Sequence, residues 1–251
     1  MRILGASTAV PATVAALAAT LVGALALPSV AQSPTRTIIE GTAKVIPNRA
    51  GTPRNPQGVK IRFSGRVITP PGVEKPVITH GFALLPDAGE YNGGRYPKCS
   101  KRKLDRQGER GCPRGSLMGR IRATAWADNE ITRPRIAVYN GGARLALAYV
   151  TLFNPAFVQE AIPARVKKLR RGKWGYKVSL RVPKSLQIVT GVPISPRSAR
   201  GTIGRDEWIT TTSCPKSRRW PYVLKAFFNT GGSYTLRDST RCRPPLRRGR
   251  R

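Results

Sequence analysis

The sequence predicts an all-β protein: a single antiparallel β-sandwich, with a β-barrel as the alternative, carrying one long disulfide-tied loop. Apolar residues alternate with polar ones at period two in several segments, and no stretch sustains a helical period. Gly, Pro and Asn punctuate those segments at short intervals, as they do in sandwiches and barrels. Cys99, Cys112, Cys214 and Cys242 are the only cysteines, enough for two disulfides.

Residues 1–31 differ in composition from the remainder of the chain. They hold one charged residue, Arg2, and are almost purely apolar and Ala-rich from residue 10 to 27. Small residues at Ser29 and Ala31 then suit the shallow pockets of a signal peptidase. This is the layout of a secretory signal peptide, with the cut expected after Ala31. An uncleaved anchor is the alternative, since a span needs about 20 apolar residues. The longest later apolar run, residues 143–153, is too short to span. The expected product is secreted or associated with the cell envelope, with no transmembrane segment after cleavage.

Strand signals begin at residues 37–46. In the next segment Val59, Ile61 and Phe63 alternate with Lys60, Arg62 and Ser64, so one face is buried and the other carries cations. Pro70, Pro71 and Gly72 end that strand, and residues 77–85 form another. Residues 86–119 are irregular, and a Cys99–Cys112 bridge would tie them. Further strands are expected at residues 119–127, 131–139 and 143–153, the last two joined by a turn at Asn140, Gly141 and Gly142. Residues 157–166 and 176–182 come next, joined by a turn over residues 170–175. Residues 185–200 look like a loop, with a short helix as the alternative. Residues 208–212, 222–228 and 234–236 complete the set. One domain over residues 32–242 is expected, with residues 243–251 as a disordered basic tail.

Four cysteines permit three pairings. Neighbours are expected to pair, Cys99 with Cys112 and Cys214 with Cys242, each closing a short loop. Without a Cys-x-x-Cys spacing, and with His80 as the only histidine, no metal site is expected. No cofactor is expected either, because no nucleotide fingerprint or phosphate-binding Gly loop occurs.

Charge narrows the partners. The chain carries 45 Lys plus Arg against 12 Asp plus Glu, a net +33. Arg outnumbers Lys by 32 to 13, which GC-rich codon usage alone would produce. The shortage of acids has no such origin, since their codons are GC-rich too. A protein of this charge attracts polyanions.

Enzymatic chemistry finds little to work with. His80 lies in a strand pattern with no acid beside it, so a Ser-His-Asp arrangement is not expected. A glycosidase needs two carboxylates across a cleft. Asp128 and Glu130 fall at a turn, Asp206 and Glu207 at a strand start. The chain therefore reads as more a binder than an enzyme. A hydrolase built on a distant carboxylate pair and a structural or adhesin-like module are the alternatives.

Three segments join cations to other contact chemistry. Lys101, Arg102, Lys103, Arg106 and Arg110 lie inside the Cys-tied loop. Lys167, Lys168, Arg170, Arg171 and Lys173 precede Trp174, and Arg218 and Arg219 precede Trp220. A guanidinium grips phosphate, sulfate or carboxylate through two hydrogen bonds, and a neighbouring indole can stack on a ring. The bland alternative is solvated cations and two core tryptophans. The expected partner is an anionic polymer: wall polymer, acidic polysaccharide or acidic lipid surface. Specific nucleic-acid recognition is not expected, since no groove-reading motif is present. Tyr96-Pro97-Lys98-Cys99, then Cys112-Pro113 with Ser116 and Gly119, then Tyr139-Asn140-Gly141 and a C-terminal part holding Trp and Cys, together resemble uncharacterised secreted proteins of GC-rich actinobacteria. The resemblance implies export and a single disulfide-bearing β domain, and it carries no activity and no site residues.

Overall fold

A computed structural model of the protein describes residues 36–246. The expected signal peptide and residues 247–251 of the expected tail lie outside the described residues. Strands β1 (Ile38–Ile46), β2 (Gln57–Gly58), β3 (Lys60–Ile68), β4 (Ile78–Pro86) and β5 (Gly89–Tyr91) precede helix α1 (Lys101–Gln107). Then come β6 (Leu117–Ala127), β7 (Glu130–Thr132), β8 (Arg135–Gly142), β9 (Leu145–Leu152), β10 (Val158–Lys168) and β11 (Trp174–Arg181). A one-turn helix α2 (Lys184–Gln187) leads to β12 (Ile188–Val189), β13 (Val192–Ile203), β14 (Ile209–Thr211), β15 (Arg219–Phe228) and β16 (Ser233–Arg241).

Thirteen strands form one sheet, along the path β1-β3-β13-β6-β8-β9-β10-β11-β4-β15-β16, with β7 on β6 and β12 on β13. A small second sheet runs β2-β14-β5. Every neighbouring pair on the path is antiparallel. The path has eleven strands, so its first and last, β1 and β16, run the same way. The sheet curls until these edges approach, and the sandwich and barrel readings of the sequence meet in this nearly closed form. Just beyond the strand ends Ala50 N donates to Arg243 O at 2.8 Å and Arg243 N to Asn48 O at 2.7 Å, a parallel bridge. Arg243, assigned to the tail by the sequence, is therefore held in the fold. Beside this seam, Tyr222 of β15 donates its hydroxyl to Asp238 of β16 at 2.8 Å.

Because side chains alternate across a strand, the register gives the sheet two faces. The enclosed face is apolar. Val138, Ala146 and Ala164 meet Met118 and Trp208 there, and Val150, Ile162 and Leu186 form a second cluster. On the other face, α1 covers β8, β9 and β10. Ser100 caps the helix by accepting from Lys103 N at 3.2 Å. Leu104 is fully buried against Ala137, Tyr139, Leu147, Tyr149 and Ala161. Asp105 Oδ1 accepts from Ala161 N at 2.9 Å, fixing the helix to β10.

Disulfides join Cys99 to Cys112 and Cys214 to Cys242, each to its neighbour in sequence. The first ties the segment that carries α1. The second lies beside buried Trp220, Ala50 and Ala88.

Two further expectations need correction. Residues 185–200 are not mainly a loop: β13 occupies residues 192–203 and sits between β3 and β6. Its prolines conceal it. Pro193 lies near the strand start, and Pro196 falls where the register against β6 shifts, so neither breaks the ladder. The close crossing further along needs Gly201, where a Cβ would lie 2.7 Å from Arg120 O. Asn140 and Gly141, expected in a hairpin turn, belong to β8, and the chain reverses after Gly142.

Asn140 is fully buried. Its Nδ2 donates to the carbonyls of Gly93, Tyr96 and Pro97 at 2.9, 3.1 and 3.0 Å. Its Oδ1 accepts from Trp208 Nε1 at 3.1 Å, Tyr91 Oη at 3.2 Å and Gly142 N at 3.3 Å. A residue read as a turn former thus holds the segment before α1 onto the sheet.

Candidate functional site

The alternation noted around Arg62 recurs on the neighbouring strands, and the register brings the outward residues into rows. In one row Lys44 of β1 stands opposite Arg62 of β3, which faces Thr202 of β13, which faces Arg120 of β6. In the next row Ser64 of β3, Arg200 of β13, Arg122 of β6 and Arg135 of β8 stand opposite one another in turn. Arg66 lies one row further along β3, facing Glu40. Arg133, in the link from β7 to β8, completes the set. All eight cations are exposed.

Adjacent strands lie about 4.8 Å apart, so Arg200, Arg122 and Arg135 form a short ladder of like charge. Such opposition weakens a sheet unless counterions intervene. Among the described residues two carboxylates pair with this field. Glu40 Oε2 lies 2.7 Å from Arg66 Nη2. Glu109, behind α1, accepts from Arg120 at 3.1 and 2.7 Å through both carboxylate oxygens. The hydrogen bonds from Arg120 hold the Glu109 carboxyl below its ordinary range, against the opposing effect of burial, and Tyr139 Oη adds a third bond at 2.9 Å. This fork shows how a guanidinium of the field receives a carboxylate. Two open depressions of about 690 and 850 Å³ lie over it, and Ser64, Arg120, Arg122 and Arg200 line both.

Aromatic residues border the field at one end. Phe153, just past β9, lines the larger depression with Arg133 and Arg135. The Arg135 guanidinium sits 5.2 Å from its ring centre. Phe153 and Phe157 are 52% and 63% exposed, with ring centres 5.8 Å apart. Trp126, on the same side of β6 as Arg120 and Arg122, has Lys75 and Arg197 over its ring at 4.7 and 5.2 Å.

The clusters picked from the sequence lie elsewhere, and none of their residues lines the two depressions. Arg102, Lys103, Arg106 and Arg110 are exposed on α1 and the turn after it, whereas Lys101 binds Asp105 at 2.8 Å and Glu160 at 3.4 Å. Lys167 and Lys168 end β10, and Arg170, Arg171 and Lys173 make the exposed turn into β11. Trp174 is half-buried, with Lys173 Nζ 5.2 Å from its ring centre. Arg218 is exposed, and Arg219 donates to Ser239 Oγ at 2.6 Å and Ser239 O at 3.0 Å. Trp220 is 2% exposed and donates to Ser213 O, so its ring is closed to a ligand.

Asp105 and Glu160 do converge, on Lys101, but both are engaged in docking. Asp105 also accepts from Ala161 N, and Glu160 accepts from Ser185 Oγ. Of the acids weighed as a catalytic pair, Glu130 accepts from Asn154 Nδ2 at 3.0 Å, and Asp206 lies 3.3 Å from Arg205 Nε. His80 stacks on Phe227 at 4.2 Å and meets the Thr79 hydroxyl at 3.0 Å. Compared with known proteins, the chain matches no protein-family model and no curated protein.

Proposed function

We propose that this protein is an exported, non-enzymatic binding module that docks to an anionic polymer of the cell envelope or its surroundings. The observation that carries the reading is the arginine field: seven cations on one side of β1, β3, β13, β6 and β8, joined by Arg133 from the link before β8, with two carboxylates paired to them. An exposed face that sets like charges opposite one another costs stability. A bound polyanion removes that cost and gains bidentate contacts to the guanidinium groups that Glu40 and Glu109 leave open. The signal-like N-terminal sequence and two disulfides favour an oxidising compartment outside the cytosol.

The test is retention of the disulfide-bonded protein on immobilised heparin, followed across a salt series. Affinity is expected to fall steeply and log-linearly with salt as counterions are released. Arg122→Ser with Arg200→Ser should flatten the slope by about two, near one for each cation removed. Retention unaffected by salt, or by this double substitution, would remove the proposal.

A further inference from the structure

Phe153 and Phe157 give the arginine field a second kind of contact, and their exposure has no counterpart in the packing of the sheet. A single exposed apolar residue is ordinary, but two adjacent phenyl rings beside a row of guanidinium groups form a contiguous patch. Phe153 comes after β9, whose Thr151 stands opposite Arg135, so it continues on the outward side just past the row of Arg200, Arg122 and Arg135. A chain lying across the strands would meet a cation on each of β13, β6 and β8, then an aromatic surface.

From this geometry we infer that the polymer is an anionic glycan: a chain of sugar rings bearing sulfate, phosphate or carboxylate, with one ring resting on Phe153 and Phe157. This rests on the polymer-docking reading above and narrows it. A sugar ring offers an apolar C–H face to the phenyl groups while its substituents reach the guanidinium groups. One sugar unit is also about as long as the strand spacing, roughly 4.8 Å, so successive units fall on successive strands. A bare polyphosphate has nothing to place against the rings. An acidic bilayer fits less well, because Glu74, Asp128 and Glu130 share this end of the sheet. Lys75 bonds Asp128 O and Asn129 Oδ1 there, and Glu130 bonds Asn154. Single-stranded nucleic acid also joins rings to anions, but the two disulfides favour a compartment where it is scarce.

The test compares wild type with a Phe153→Ala, Phe157→Ala double variant, both disulfide-bonded. Each is titrated with three probes of matched charge: a heparin-derived octasaccharide, linear polyphosphate and oligo-thymidylate. The variant should bind the octasaccharide about two- to tenfold more weakly with an unchanged salt slope, and should bind polyphosphate as wild type does. Equal loss for the two probes, or no loss for either, overturns the inference while leaving the docking reading intact. Failure of wild type to bind any probe removes the docking reading itself. Tighter binding of oligo-thymidylate than of the octasaccharide also overturns it, in favour of nucleic acid. Phe157→Ala alone, at the more exposed ring, gives the same comparison if the double variant does not fold.

Discussion

Asn140 Oδ1 lies 3.1 Å from Trp208 Nε1, and both side chains are buried. The amide serves six partners from three separate stretches of chain. Replacing it by Ala strands several buried donors and carbonyls, each costing about 1–3 kcal/mol when unpaired. Asn140→Ala should therefore lose more than about 3 kcal/mol in chemical denaturation. Asn140→Asp should be comparably harmful, because a carboxyl group cannot donate to three carbonyls at once. A loss below about 1 kcal/mol would mean that water or relaxation replaces this hub.

Arg200 and Arg122 should show opposite effects on stability and binding. Each exposed substitution to Ser relieves like-charge opposition across the β13–β6 pair. Thermal unfolding at low salt should show stability unchanged or raised by a few tenths of a kcal/mol. Heparin retention should fall in the same variants. Variants that lose stability would show that these side chains serve packing and not a ligand.

Glu109 ties Arg120 to the α1 segment, and its depressed carboxyl pKa fixes the sign of an acid effect. The folded state prefers the ionised form. The contribution is therefore complete above the ordinary value of 4.5 and fades as pH falls through the lower folded value. Glu109→Gln removes this acid-sensitive part and frees one guanidinium. A denaturation series from about pH 6 to about pH 3 should show a shallower fall for the variant, and its heparin salt slope should steepen by about one.

Alkali should act through phenols. Burial pushes Tyr91, Tyr139 and Tyr222 above their ordinary value of 10.0. The unfolded chain then releases these protons first, so stability is intact below about pH 10 and declines above it. Tyrosinate absorbance should rise together with loss of the near-ultraviolet circular dichroism signal. Smooth titration of all seven tyrosines with the fold intact would contradict the burial of these three.

Reduction should loosen α1 in particular. The Cys99–Cys112 bridge spans 13 residues and the Cys214–Cys242 bridge 28, each worth about 3–4 kcal/mol by loop closure. Cys99→Ser with Cys112→Ser should raise hydrogen exchange first in residues 99–112 and in the Tyr139 and Tyr149 region that α1 covers.

Strands with clean alternation, such as β3 and β11, were legible because one face is buried and the other solvated. The neighbouring disulfides followed from the cysteine spacing and the signal-like N-terminal sequence. β13 was hidden because Pro193, Pro196 and Gly201 are locally strand-breaking and are accommodated by a register shift and a close crossing that only the partner strands reveal. Asn140 looked like a turn because the Asn-Gly pair is a local signal, whereas its six bonds are tertiary. The arginine field escaped for a similar reason. Runs of cations mark turns and helix surfaces, but the field collects one or two residues from each of several strands far apart in sequence. Its trace was the alternation at Lys60 and Arg62, repeated at Arg120 and Arg122.

The parallel meeting of β1 and β16 has a consequence for assembly. The strands that close the sheet come from opposite ends of the described chain, and β4 must wait for β11 and β15 to flank it. No early portion can complete its own wall, so folding is governed by contacts distant in sequence and should be slow. Such a molecule stays open at one edge until its last strand arrives.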